Sequence, residues 1–282
     1  LRFRFPIGEK VTSGVYIHIP FCRGKCEYCS FFSIASPASL PERNALFDSY
    51  MHALVSDIAA AKDYHRTPVD SVYFGGGTPS MFGHHRIAAV LKALRDFFSI
   101  APSAEISIEC NPNDIGRETI IPLIEVGINR VTVGVQTFHQ RLRNVIGRFP
   151  PPAQEDILEE FMAMPDIIYC FDVIAGIPSE SDEELISDLS RIVSLRPKHI
   201  SAYLLSVEKE TPLGHRINID EQFHENQRRH LSLVMEYLRD AGYHHYEISN
   251  YCLPGFESRH NLKYWQFQPY LGFGAGAHGF TG

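Results

Sequence analysis

Short runs of β-branched and aromatic residues recur along most of the chain, separated by longer segments in which apolar residues follow helical spacing. The short runs predict strands at 15–19, 72–74, 105–109, 130–135, 167–174 and 200–205. The longer segments predict helices over 42–62, 85–98, 117–126, 138–146, 153–163 and 223–241. A further helix is predicted to begin at Ser181, because Ser181 and Glu184 form a capping-box pattern before a series of apolar positions.

Six successive strand–helix units predict a parallel sheet, because parallel strands need crossover connections. Right-handed crossovers allow either a partial barrel or an open doubly wound sheet. In both architectures the reactive groups gather at the carboxyl ends of the strands. After residue 243 the pattern changes to a segment rich in Tyr, His and Gly, so we expect a core domain over 1–243 and a short C-terminal extension over 244–282.

Composition and charge narrow the functional classes. The chain of 282 residues has a formal net charge of −7 and no dense block of Lys and Arg, which argues against a nucleic-acid partner. No apolar run approaches the roughly 18 residues of a membrane helix, and no secretory signal is visible, so we expect a cytoplasmic protein. The first residue is Leu1 rather than Met, and we expect a fragment or a processed form.

The strongest chemical signal is a group of three cysteines, Cys22, Cys26 and Cys29, which follow the first predicted strand. The total of six cysteines permits three disulfides, but clustered thiols without an export signal more often bind metal or act in catalysis. Three thiolates on one loop can hold a [4Fe–4S] cluster and leave its fourth iron open for substrate chemistry. A structural zinc site completed by a histidine, or simply buried thiols, are the alternatives. The remaining cysteines lie singly in or beside strand-like segments, where cysteine usually packs as a small apolar side chain: Cys110, Cys170 and Cys252.

Glycine and polar residues stand near the carboxyl ends of the next four predicted strands. Three glycines occupy 75–77, Glu109 ends the third strand, Gln136 follows the fourth and Asp172 lies on the fifth. Successive glycines allow the backbone to approach a ligand closely, although an isolated run of this kind is equally typical of a strand-ending turn. Unpaired polar groups are costly in apolar strand contexts, which favours a ligand site.

The spacing C-x3-C-x2-C resembles that of radical S-adenosylmethionine (SAM) enzymes, whose open iron binds SAM. Four further segments narrow the resemblance to the oxygen-independent coproporphyrinogen III oxidase family: YIHIPFC at 16–22, GGGTPS at 75–80, RVTVGVQTF at 130–138 and DVIAGIP at 172–178. The similarity runs from about residue 14 to the end of the chain. It implies an α/β fold of the radical SAM type, a partial (β/α)6 TIM-like barrel, in which Cys22, Cys26 and Cys29 hold a [4Fe–4S] cluster.

The same resemblance implies a set of SAM-binding positions: Tyr16, Tyr28, Gly76, Gly77, Thr78, Glu109, Gln136, Arg148 and Asp172. Carboxylates bind ribose hydroxyls or an ammonium group, and an arginine pairs with a carboxylate. For Arg148 the alternative is a solvated surface charge, and for either tyrosine it is core packing.

The extension contains a second motif, HNLKYW at 260–265, which includes the only Trp of the chain. It resembles the haem-associated motif of HemW-type haem chaperones, which implies His260 as a haem-iron ligand and Tyr264 and Trp265 as walls of the pocket. We expect the motif to lie near the barrel mouth; the alternative is a surface loop whose aromatic residues pack on the barrel. Phe31 stands where coproporphyrinogen-converting relatives carry a further cysteine, and this favours the chaperone branch. We expect the C-terminal domain of the family to be missing from the 282 residues.

The resemblance implies three functions. The first is a haem chaperone that binds haem, a [4Fe–4S] cluster and SAM, and passes haem to an unidentified acceptor, with peripheral membrane association where that acceptor is respiratory. The second is an enzyme of porphyrin biosynthesis, an oxygen-independent coproporphyrinogen III oxidase that decarboxylates propionate side chains through a 5′-deoxyadenosyl radical. The third is a radical SAM haem-degrading methyltransferase. Whether the protein is an enzyme therefore stays open at this point.

Overall fold

The computed structural model describes residues 12–63, 67–148, 155–164 and 167–281. The first two residues of the helix predicted over 153–163 lie outside these ranges. The strands in chain order are β1 (Ser13–Ile19), β2 (Phe21–Cys22), β3 (Ile34–Ala35), β4 (Val69–Gly76), β5 (Ile100–Cys110), β6 (Arg130–Gln136), β7 (Ile168–Ala175), β8 (His199–Leu204), β9 (His244–His245), β10 (Asn250–Cys252) and β11 (Tyr270–Phe273). The α-helices are α1 (Leu40–Ala60), α2 (His84–Phe97), α3 (Arg117–Glu125), α4 (Gln140–Val145), α5 (Glu155–Met162), α6 (Asp182–Ser194), α7 (Pro212–Arg216), α8 (Glu221–Asp240) and α9 (Arg259–Trp265).

Within the described residues, the main sheet has nine strands in the order β11-β1-β4-β5-β6-β7-β8-β10-β9. The strands from β1 to β8 in this order are parallel, as the six strand–helix units predict, and β11 adds a further parallel strand beside β1. β10 pairs with β8 in the antiparallel direction, and β9 pairs with β10 in the same way. The short strands β2 and β3 form a separate pair beside the cysteine loop.

Six of the described helices cover one face of the sheet, which distinguishes a partial barrel from a doubly wound sheet. Side chains from α1, α2, α3, α5, α6 and α8 share one apolar core with alternate residues of the parallel strands. On β1, for example, Val15 and Ile17 belong to this core, whereas Tyr16 and His18 point to the other face and bond each other. Successive residues of a strand point to opposite faces, so the same alternation sends mostly polar side chains into the barrel interior.

The segment after residue 243 contributes to both edges of the sheet. Its strands β10 and β9 extend the β8 edge, and β11 extends the β1 edge. Between them, α9 packs against β1 and β4, near the amino ends of these strands: Nδ1 of His260 lies 3.1 Å from Oγ of Ser71. The expectation that the HNLKYW motif lies near the barrel mouth is wrong, because α9, which contains it, packs at the opposite end of the strands. The division into a domain over 1–243 and an extension stays a prediction.

The predicted capping box is present at the start of α6. Oγ of Ser181 accepts a hydrogen bond from the backbone N–H of Glu184 at 3.3 Å, and a carboxylate oxygen of Glu184 accepts the N–H of Ser181 at 3.0 Å. Both bonds satisfy backbone donors that have no partner inside the helix.

We therefore expect Ser181→Ala to lower the free energy of unfolding by about 1 kcal/mol, because an N-cap side chain is lost. Chemical denaturation of the purified protein measures this change. Ser56→Ala is the matched control: Ser56 lies on the exposed side of α1 and bonds only the carbonyl of His52 within its own helix. Equal destabilisation by both substitutions would contradict a capping role for Ser181.

Candidate functional site

The cysteine loop and the carboxyl ends of the strands enclose a cavity of about 390 Å³. Its wall includes most of the positions that the sequence resemblance assigns to cluster and SAM: Cys22, Cys26, Tyr28, Cys29, Gly76, Gly77, Thr78, Glu109, Gln136, Arg148 and Asp172. These residues come from the loops after β2, β4 and α4 and from the ends of β4, β5, β6 and β7. The structure therefore brings together side chains that are up to 150 residues apart in sequence.

The three cysteines of the loop are free thiols on one wall of the cavity. The N–H of Cys29 donates to the carbonyl of Cys26 at 3.2 Å, which closes a tight turn between these two positions. Arg23 anchors the loop from the other side, because its guanidinium pairs with the buried carboxylate of Asp114, which also accepts a hydrogen bond from Ser80. Cys22, Cys26 and Cys29 are thus presented by a loop that is fixed at several points.

Burial raises the pKa values of the Cys22 and Cys29 thiols, and the neighbouring cysteines raise them further. A thiol with a raised pKa stays protonated at neutral pH, so metal binding must release its proton. In the described part of the chain, no three His, Cys, Asp or Glu side chains converge closely enough to hold a single metal ion.

Glycines at the end of β4 allow the backbone to pass very close to the start of the cysteine loop. A Cβ at Gly77 would lie 2.7 Å from the carbonyl oxygen of Phe21, and a Cβ at Gly76 would lie 2.5 Å from Cε1 of His18. Gly76 also has a φ of +113°, which side chains rarely adopt. The N–H groups of Gly77 and Thr78 donate to the carbonyls of Ile19 and Phe21 at 2.8 and 2.7 Å. The glycine run therefore clamps β4 to the cysteine loop, in addition to lining the cavity.

Two carboxyl groups enter the cavity from the floor. Glu109 accepts hydrogen bonds from the Tyr73 hydroxyl at 2.8 Å and from the N–H of Gly76 at 3.2 Å, and burial raises the pKa of Glu109. Burial, and after it the charge of Glu109, raises the pKa of Asp172 to about 7. Oδ1 of Asp172 is buried and has no hydrogen-bond partner among the described residues. An acceptor of this kind calls for a donor on a ligand.

Gln136 reaches the cavity from a strained position. Its φ is +69°, in the left-handed region, and the register of β6 against β7 shifts between Gly134 and Gln136. A bulge at a strand end redirects a side chain, and strain of this kind is typical of functional sites.

Arg148 is half-buried in the cavity wall and bonded to groups of that wall, so it is not the solvated surface charge that was its alternative interpretation. One terminal nitrogen lies 3.7 Å from Sγ of Cys26 and 3.4 Å from the Tyr28 hydroxyl. The other donates to Oδ1 of Asn111 at 2.9 Å and to the carbonyl of Gly134 at 2.6 Å. The guanidinium thus lies beside a cysteine sulfur and the cavity at the same time.

Some predicted residues lie elsewhere. Tyr16 is below the cavity, stacked on Tyr73, with its hydroxyl 3.0 Å from Nδ1 of His18.

His260 is completely buried, with Nδ1 3.1 Å from the Ser71 hydroxyl and Nε2 2.9 Å from the Tyr264 hydroxyl. Burial, and after it the Lys263 charge, lowers the pKa of His260 to about 3. The structure does not bring His260, Tyr264 or Trp265 into the wall of the cavity.

Sequence reasoning missed several residues of the cavity wall, among them Asn111 and Tyr203. Asn111 joins Arg148 to Thr78, whose hydroxyl accepts from the Asn111 amide at 2.9 Å, and Tyr203 lines the cavity at the end of β8. The available signal was their position, since both stand at the carboxyl end of a predicted parallel strand, as Glu109 does.

Comparison with known proteins identifies the family of the chain. The profile of the radical SAM superfamily matches residues 16–192, which is more than half of the sequence. The chain belongs to the radical SAM superfamily. Within it, the chain belongs to the HemW branch of the coproporphyrinogen III oxidase family, because curated HemW proteins are similar over nearly its whole length.

The HemW relative from Mycobacterium tuberculosis, named a haem chaperone, is 37% identical over 279 residues, which cover 95% of this chain and 70% of that protein. The relative of the same name from Escherichia coli is 32% identical, over 94% of this chain and 69% of that protein. The solved structure of coproporphyrinogen III oxidase HemN from Escherichia coli superposes with a TM-score of 0.81 at 22% identity, over 97% of this chain and 65% of that enzyme. This last similarity supports the partial-barrel fold of radical SAM proteins and nothing beyond the fold.

Radical SAM proteins bind a [4Fe–4S] cluster and SAM, and the cavity residues suit both. The three thiols supply the soft ligands that iron–sulfur clusters require. The same cavity is lined by Asp172, whose Oδ1 is unpartnered, and by Arg148, whose buried Nε is unpartnered among the described residues and whose guanidinium lies beside Cys26. A cation and an anion in one wall match the carboxylate, ammonium and hydroxyl groups of SAM.

We expect Cys22→Ala, Cys26→Ala or Cys29→Ala to abolish bound iron and sulfide after anaerobic reconstitution, because each removal leaves two thiolates. Iron and sulfide assays measure the outcome. Cys170→Ala is the control, since Cys170 is fully buried on β7 and does not line the cavity. Equal loss of iron from Cys170→Ala would contradict the assignment.

Proposed function

We propose that this protein is a haem chaperone of the radical SAM type, which binds haem, carries a [4Fe–4S] cluster with SAM, and passes haem to an acceptor. The similarity to curated haem chaperones over 95% of the chain, at up to 37% identity, is the observation that carries the proposal. The cavity supports it independently, because thiols and polar groups for cluster and SAM line one space.

Each cavity residue has a role in this proposal. Cys22, Cys26 and Cys29 bind the cluster, which when bound supplies a one-electron centre with one open iron. Asp172 accepts hydrogen bonds from SAM, and Arg148 pairs with its carboxylate while remaining beside the Cys26 sulfur. The backbone around Gly77 and Thr78 contacts the methionine end of SAM. Glu109 binds its ammonium group and Gln136 its adenosine part, whereas Tyr28 packs against Arg148 in the wall.

Phe31 favours the chaperone over the oxidase reading. Its side chain is exposed and lines the cavity. Coproporphyrinogen-converting relatives carry a further cysteine at this position. A phenylalanine can neither ligate iron nor transfer a proton, whereas an exposed ring suits contact with an apolar ligand.

The proposed function also requires a protein that accepts the haem. We infer a separate haem-acceptor protein, with peripheral contact at the membrane where that acceptor belongs to a respiratory complex, and we place the exchange in the cytoplasm. All six cysteines are free thiols, as the reducing cytosol keeps them. Among the described residues, no helix has both the length and the apolar character needed to cross a bilayer.

The role of His260 as haem ligand stays a prediction. His260 is buried with both ring nitrogens in hydrogen bonds, to the hydroxyls of Ser71 and Tyr264. Ligation of haem iron by His260 therefore requires α9 to leave the barrel interior, together with the Tyr264 and Trp265 that it carries.

Two incubations of the reconstituted protein test the proposed function. With haem, SAM and a reductant, we expect a stable complex that transfers intact haem to an apo-haemoprotein. With coproporphyrinogen III, SAM and a reductant, we expect no rapid formation of protoporphyrinogen. Rapid conversion would make the protein an oxidase, and incorporation of a SAM-derived methyl group with haem breakdown would make it a methyltransferase.

The raised pKa of Asp172 predicts that SAM binding depends on pH. Below about pH 7 the Asp172 carboxyl is protonated, and above it the carboxylate accepts hydrogen bonds at full strength. We therefore expect the affinity for SAM to rise roughly tenfold between pH 6 and pH 8, as a charge-assisted hydrogen bond contributes. Calorimetric titration at several pH values measures this rise.

Asp172→Asn should flatten the pH profile, whereas the exposed Asp240→Asn should keep it. An unchanged pH profile in Asp172→Asn would remove Asp172 from the SAM site and leave Glu109, whose pKa is also raised, as the group that titrates.

A further inference from the structure

Exposed apolar side chains surround one side of the cavity mouth. Phe31, Phe32 and Ile34, which we call the rim patch, are 64%, 52% and 42% exposed and follow the cysteine triplet directly. Phe31 also lines the cavity itself. Isolated exposed apolar residues are ordinary, but three of them within four residues of the chain, beside a cavity, are typical of a ligand or partner site.

The backbone of the rim patch is fixed, although its side chains are exposed. Nε2 of His18 lies 2.8 Å from the carbonyl oxygen of Phe32, and the N–H of Ile34 donates to the carbonyl of Pro20 at 2.8 Å. Lys25 reaches the carbonyl of Phe31 with its ammonium group at 3.3 Å. The exposed phenylalanine rings are therefore carried by a hydrogen-bonded backbone, which lowers the entropic cost of binding a flat ligand.

A second loop, residues 274–279, borders the rim patch. It follows β11 at the carboxyl end of the sheet, where a Cβ at Gly274 would lie 2.6 Å from the carbonyl of His18. A Cβ at Gly276 would lie 2.9 Å from Cβ of Phe32, so this loop and the rim patch are in close contact. His278 lies in the loop and its side chain is exposed. Burial lowers the pKa of His18 beneath the rim patch, and the imidazole of His278 lowers it further.

Haem binding needs an apolar surface for the porphyrin, a Lewis base for the iron and cations for the propionates. The rim patch supplies the surface, and His278 is a histidine that a ligand can reach without any rearrangement. Lys25 is exposed on the cysteine loop, and its charge complements a propionate. By contrast, both nitrogens of His260 are engaged at the far end of the strands.

We propose that haem binds over the rim patch at the cavity mouth, with His278 as the iron ligand and Lys25 as a propionate partner. This inference rests on the proposed haem-chaperone function and assigns its site. Haem at this position lies beside the cysteine loop, so cargo and cluster share one face of the barrel.

Haem titration of the reconstituted full chain, followed by absorbance and electron paramagnetic resonance, tests the site. His278→Ala should weaken haem binding about tenfold and change the spectrum of the iron, because the ligand is lost. Phe31→Ser and Phe32→Ser should each weaken binding about tenfold and leave the ligand signature unchanged. Iron–sulfur content and thermal unfolding should stay as in the wild type, since all three side chains are exposed.

Matched controls lie far from the rim patch. Phe267 is 71% exposed next to α9, and His244 is exposed on β9 at the opposite sheet edge, so Phe267→Ser and His244→Ala should change nothing. His260→Gln is not a control but tests the competing ligand: it keeps a hydrogen-bonding side chain in the barrel, and haem bound at the rim patch should retain its affinity and spectrum in this variant.

The outcomes separate the site from the function. If the wild type binds haem and the His278 and rim-patch variants bind it unchanged, the proposed site is overturned and the chaperone function stands. Loss of the ligand signature in a folded His260→Gln protein, but not in His278→Ala, also overturns the site and supports α9. If the wild type binds no haem at all, the function and the site both fail.

Discussion

The fold depends on the need to satisfy polar side chains inside the barrel. Each parallel strand sends apolar residues to the helices and polar residues to the interior, so the interior holds charges that an apolar core would not tolerate. The buried pair of Arg130 and Glu105, 3.3 Å apart, is at the amino ends of the strands. Glu105 also accepts hydrogen bonds from the Ser258 hydroxyl and the N–H of His260, both at 3.3 Å. The extension after residue 243 therefore completes the polar interior as well as the sheet.

This arrangement divides the barrel into two levels. At the amino ends, α9 occupies the interior, and Lys263 pairs with Asp70 at 2.7 Å. At the carboxyl ends, no helix of the described residues fills the barrel in the way that α9 does. The cavity is therefore open there, and the unpartnered Oδ1 of Asp172 lies in it. Tyr16 and Tyr73 stack between the two levels. The same strands thus supply structural contacts at one end and ligand-binding groups at the other.

Much of the fold, and part of the candidate site, could be predicted from the local sequence pattern. The six parallel strands and their helices follow from apolar periodicity, and Glu109 and Asp172 stand out as carboxylates in apolar strands. The short elements β2, β9 and β10 were not predictable, because two or three residues carry no period and their pairing is set by distant strands. The helical, buried state of His260 also escaped prediction, since it depends on the polar interior that α9 enters. For Arg148 the residue pattern alone left a surface charge as the alternative to the implied SAM position, because its partners, Asn111 and Gly134, are distant in sequence.

The pairing of β11 with β1 has a consequence for synthesis of the chain. Gly14 through Ile17 on β1 pair with residues 270–273. This edge of β1 therefore has no partner strand until residues 270–273 have been synthesised. Such contacts between distant parts of a chain carry a high loop-closure cost and slow folding. During translation, one side of β1 therefore stays unpaired until residues 270–273 have left the ribosome, and an unpaired strand edge invites association with other chains.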